Sequence, residues 1–87
     1  MATWYWQTPE KITAVEWCIR YRDRWGTWSD FGTGLVLGET VLDGQRYLAI
    51  GGPRAQRMRY IRSDLVKPLA EDRRLALGLR YPHEVTH

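Results

Sequence analysis

A single cysteine, Cys18, stands in the whole 87-residue chain, so no internal disulfide can form and no stapled, secreted framework holds the fold together. A reducing compartment is expected. Histidine is scarce as well: His83 and His87 are the only two, and Pro82, Val85 and Thr86 oppose the helix that would bring them onto one face, so no metal site is expected. No apolar run approaches the ~18 residues of a membrane span, and the start at Met1-Ala2-Thr3-Trp4 lacks the basic and apolar regions of a secretory signal. The protein is expected to be cytoplasmic, with no membrane partner.

Catalytic constellations are missing too. Cys18 has no histidine near it in sequence, and no pair of carboxylates sits in the apolar context that would drive their pKa values apart. The glycines at 32, 34, 51 and 52 lack the residues that complete either phosphate-cradling fingerprint. The expectation is no enzyme, no catalytic residue and no cofactor.

What is present describes one small folded domain over residues 1–87. Hydrophobic residues make up 44%, charged residues 26% and aromatics 13%, a globular composition with no linker dividing it. A chain this short buries only about 60 to 65% of its unfolded surface, which leaves room for a thin core and no deep cleft. Over residues 13–24, Val15, Trp17, Ile19 and Tyr21 alternate with Glu16, Cys18, Arg20, Arg22 and Arg24, the period of a half-buried strand. Residues 1–11 read as an N-terminal arm that carries Trp4 and Trp6 and ends in a turn at Pro9. Residues 25–34, with three glycines and the rings of Trp25, Trp28 and Phe31, read as an irregular aromatic loop.

Asp43 and Gly44 separate two β-prone runs and predict a tight hairpin, because a type I′ turn needs positive φ at both central positions. Strand structure resumes near Met58 to Ile61 after a Gly-Pro break. Residues 68–78, with Pro68 early, Glu71 and Asp72 in the first turn, arginines later and Gly78 at the end, predict a short helix. Residues 81–87 are expected to fray. Val15, Trp17, Ile19, Tyr21, Leu35, Leu37, Leu48 and Ile50 are the expected core.

A long first strand, an aromatic loop, a tight hairpin, a Gly-Pro break and a last strand after a short turn resemble the Src-homology-three-like small barrels, which include Tudor and KOW modules. The similarity covers roughly residues 12–69 and is carried by Asp43-Gly44 and by the stretch from Arg59 through Val66. It implies a mainly β fold, either a small five-stranded barrel spanning residues 12–67 or a strongly bent antiparallel sheet, with a short C-terminal helix. The signalling members usually carry an acidic loop and adjacent tyrosines; here that loop is rich in Arg and Trp, which argues against proline-rich ligands. Such folds host many functions and name no ligand.

Two groups of residues are candidates for binding. Trp25, Trp28 and Phe31 beside Asp30 can stack bases or cage a cation, or else close one end of the barrel. Arg54, Arg57, Arg59 and Arg62 carry positive charge that Arg20, Arg22 and Arg24 would extend into one basic platform if the two strands are neighbours. Eleven of the thirteen basic residues are arginine, the choice for bidentate contacts, although a coding bias would produce the same count. Two functions follow: a protein-interaction module, either an adaptor subunit or a small inhibitor of the kind phages and plasmids encode, or a nucleic-acid binder that contacts DNA or RNA phosphates. The first ranks ahead, because a net charge of +3 is small for a dedicated nucleic-acid binder and Trp, Tyr and Arg dominate interface hot spots.

Overall fold

The computed structural model describes residues 2–52 and 58–84. Six strands form one antiparallel sheet: β1 (Ala2–Trp4), β2 (Thr13–Asp23), β3 (Gly26–Leu42), β4 (Gln45–Gly51), β5 (Met58–Arg62) and β6 (Val66–Pro68). Short 3-10 turns lie at Pro9–Lys11, Ser63–Leu65 and Pro82–Glu84, and α1 is a single short helix, Glu71–Ala76. The chain is mainly β, and no helix among the described residues is long and apolar enough to cross a membrane.

The strands lie in the order β5-β4-β3-β2-β6, with β1 beside the far end of β3. β5 and β6 are the outer strands and do not pair with one another, so the expected five-stranded barrel does not close. β6 is too short to complete it: it offers three residues, and Pro68 has no amide donor. The chain nevertheless crosses from β5 to β6 through Ser63–Leu65 alone, a link that reaches about 14 Å at most, so the sheet bends until its two edges lie near each other.

The hairpin at Asp43-Gly44 forms as expected. Both residues take positive φ, 51° and 77°, and Leu42 pairs with Gln45 across the turn. Of the aromatic loop expected over residues 25–34, only Trp25 lies in a turn and residues 26–34 are strand: β2 and β3 pair without interruption from Thr13↔Val36 to Asp23↔Gly26. Gly26 serves the turn at the tip, with φ 139°, whereas Gly32 and Gly34 provide clearance. A Cβ on Gly34 would lie 2.8 Å from Cγ2 of Ile50, and one on Gly32 would collide with the Trp17 ring.

Cross-strand register puts Val36 and Ile50 on one face and Leu35 on the other, and all three are buried, so the base of the sheet is covered on both sides. Of the expected core, Val15, Leu35, Leu37, Leu48 and Ile50 are buried, while Trp17 and Ile19 pack partly against them. Tyr21 is exposed, because β2 runs on past the last strand that could cover it. The chain ends supply what periodicity did not reveal: Tyr5, Ile12, Leu69 and Leu79 join the core. The N-terminal arm accordingly belongs to the sheet, with β1 paired to β3 and the Tyr5 amide donating to the Leu37 carbonyl at 3.0 Å.

The helix is shorter than residues 68–78, since Pro68 still belongs to β6. It ends in a Schellman motif, with Gly78 at φ 72° and the Leu79 amide donating to the Arg74 carbonyl at 3.1 Å. Residues 81–84, expected to fray, are anchored by Arg74, which is buried despite its charge. Its Nη1 donates to the Leu79 carbonyl at 2.8 Å and to the Glu84 carboxylate at 2.6 Å, and its Nε donates to Glu71 at 2.9 Å. The guanidinium lies 4.2 Å from the Tyr81 ring centroid. Residues 85–87 lie outside the described residues.

Candidate partner-binding arm

β3 is seventeen residues long, yet β4 pairs only with its second half, from Leu35 onward, and β6 pairs with β2 only over residues 15–17. Beyond Trp17 and before Gly34 the two strands therefore pair only with each other among the described residues. They leave the sheet as a two-stranded arm, which residues 18–23 extend by about 20 Å at 3.3 Å per residue. The dimensions agree: the molecule measures 49 × 32 × 21 Å, and its radius of gyration is 14.0 Å, against about 12 Å for a compact chain of this length.

Register assigns each side chain to a face of the arm. Ile19, Tyr21, Trp28 and Asp30 share one face; Cys18, Arg20, Arg22, Ser29 and Phe31 share the other. Arg24 and Trp25 form the tip, where the Trp25 amide donates to Oδ1 of Asp23 at 2.7 Å and the Trp28 indole N–H donates to Oδ2 at 2.9 Å. One carboxylate thus sets both the turn and the neighbouring ring. Arg24 lies over the Trp25 ring at 5.2 Å. The rings close no barrel end: Trp25 and Phe31 keep about three quarters of their surface, at 76% and 75%, and Tyr21 and Trp28 about half.

The condition for one basic platform, that β2 and β5 be neighbours, is not met, since β3 and β4 stand between them. Arg59 lies opposite Ile50 on the inner face, pairs with Asp30 of the arm and stands 5.8 Å from the Trp17 ring. The hydrogen bond from Arg59 holds the Asp30 carboxyl below the ordinary carboxylate range, against the opposing effect of desolvation. Arg62 is also occupied, with two hydrogen bonds to the Asp64 carboxylate at 3.1 and 2.7 Å. Arg54 and Arg57 lie outside the described residues. Arg20 and Arg22 are exposed and have no ion partner among the described residues.

A feature that the sequence reading missed lies at the base of the arm, on the Arg20 face. It is an open groove of about 900 Å³, lined by Cys18, Phe31, Leu65, Lys67 and Leu77 among others. Glu16 and Asp64 also line it, but each is engaged, by Arg73 at 2.5 Å and by Arg62. No local signal marks this groove, because its walls come from β2, β3, β6, the turn before β6 and the end of α1. Among the described residues no three His, Cys, Asp or Glu side chains gather where they could hold a metal. No family model, curated protein or solved structure matches the chain.

Proposed function

We propose that this domain is a non-catalytic binding module that holds a protein partner with its projecting β2–β3 arm, as an adaptor subunit or a small inhibitor of the kind mobile elements encode. One observation carries the reading: Tyr21 and Trp28 on one face of the arm, Phe31 on the other and Trp25 at its tip are all exposed. Large rings beside arginines are the usual composition of interface hot spots, and large exposed rings have a solvation cost that a partner removes. A nucleic-acid partner is less well supported, because Arg59 and Arg62 are neutralised by their own carboxylates. In architecture we read the domain as an opened relative of the Src-homology-three-like barrels; the strand order and the 3-10 turn that carries β5 over to β6 support this. The exposed, unpaired Cys18 suits the reducing cytoplasm.

A photocrosslinker at position 25 tests the function. It should label a defined protein that a crosslinker at Asp72, exposed on α1, does not label. Fluorescence polarisation with labelled single- and double-stranded nucleic acid should show no binding at physiological salt. Tight binding there, with a log-log salt slope of magnitude about 3 or more, would replace the protein reading with the nucleic-acid one.

A further inference from the structure

The outer edge of β2 is occupied for half its length only. The Leu69 amide donates to the Ala14 carbonyl at 3.0 Å, so the Ala14 backbone points away from β3; by alternation, Glu16, Cys18, Arg20 and Arg22 also present their N–H and C=O groups on that edge. β6 uses this edge as far as Trp17. Beyond Trp17 the chain turns off through Ser63–Leu65, so along residues 18–22 no strand pairs with this edge among the described residues, and β2 carries none of the lysines, prolines or bulges that commonly blunt such an edge. The groove opens on this same stretch, on the side where Cys18 and Arg20 project.

We propose that residues 18–22 of β2 accept an extended peptide strand from the partner, carrying an apolar residue and acidic residues two positions apart. The inference rests on the protein-interaction reading above. Main-chain hydrogen bonds to Cys18 and Arg20 supply affinity, and alternate side chains of the added strand face the groove. An apolar side chain there meets Phe31, Leu65 and Leu77, and carboxylates two residues away meet Arg20 and Arg22. Charge selects this occupant. The acids of the groove are already paired, whereas Arg20 and Lys67 in the groove and Arg22 along the edge have no ion partner among the described residues, which leaves the site positive. A peptide also suits this edge because it supplies N–H donors, which a phosphodiester backbone lacks.

The test uses the intact domain and a fluorescein-labelled peptide Glu-Thr-Glu-Thr-Leu-Thr-Glu-Thr-Glu, whose palindromic order makes strand direction immaterial. It should bind saturably by fluorescence polarisation. Replacing its Glu residues with Lys, or N-methylating alternate amides while keeping every side chain, should weaken binding about tenfold or more. Arg20→Glu/Arg22→Glu, two exposed changes checked for an unaltered melting temperature, should lose the acidic peptide and gain the Lys version. Binding that survives N-methylation would overturn strand addition, and equal binding of the Glu and Lys peptides would overturn the charge assignment. No binding of the acidic peptide, with crosslinking at position 25 to a protein intact, overturns this site alone; preferential binding of a labelled single-stranded oligonucleotide overturns this site and the protein reading together.

Discussion

The Trp17 indole fills the space that a side chain at position 32 would need: a Cβ on Gly32, its partner across β2 and β3, would lie 2.5 Å from Cζ2 and 2.8 Å from Cη2 of the ring. The arm leaves the sheet at this pair, so the contact secures its base. Gly32→Ala should destabilise the domain by about 1–3 kcal/mol through overpacking. In thermal denaturation that corresponds to a loss of roughly 4–8 °C per kcal/mol. Trp17→Ala should cost more by itself, and the double variant should cost less than the sum, because removing the ring relieves the clash. Strict additivity in the cycle would show that the two do not touch.

Burial separates core positions from arm positions. Leu35 is 1% exposed, and Leu35→Ala should cost about 2–5 kcal/mol in urea unfolding. Trp25→Ala, at the tip, should stay within about 0.5 kcal/mol of the wild type while removing the partner. A large stability loss on changing Trp25 would mean that the ring packs against its own domain.

Arg74 links the C-terminal segment to pH. Its hydrogen bonds hold the Glu71 and Glu84 carboxyls below their ordinary value of 4.5. Groups depressed in the folded state stabilise it fully above their unfolded pKa, and the stabilisation is lost as pH falls through the folded pKa. Urea unfolding followed from pH 7 downward should therefore show stability declining below about pH 4.5. Arg74→Met should lower stability at pH 7 and flatten that decline, since Glu71 loses its guanidinium donor and Glu84 keeps only the Tyr81 amide. An unchanged acid limb in the variant would remove Arg74 as the cause.

Gly44 holds the second left-handed position of the β3–β4 turn, with open space where a Cβ would sit. Gly44→Ala should therefore cost only the conformational strain, about 1–2 kcal/mol. Gly52→Ala, with nothing near a Cβ among the described residues and no positive φ, should be close to neutral in the same melting assay.

Much of the local structure was determined by the sequence itself. The alternation from Val15 to Tyr21 made β2 a strand, and Asp43-Gly44 made a type I′ hairpin, because side-chain period and turn stereochemistry are properties of neighbouring residues. The glycines at 32 and 34 misled for the same reason: read locally they break a strand, yet each makes room for a side chain from another strand. Alternation also separated Arg20 and Arg22 from Tyr21 correctly, but it could not say what lies over either face. Only the tertiary structure decided that β3 and β4 stand between β2 and β5, that Arg59 turns inward to Asp30, that Arg74 is buried among Glu71, Glu84 and Tyr81, and that Tyr21, Trp25, Trp28 and Phe31 of the arm stay exposed. Strand order and burial depend on pairings between residues far apart in the chain, and a period-two pattern is identical whether the strand beside it is present or missing.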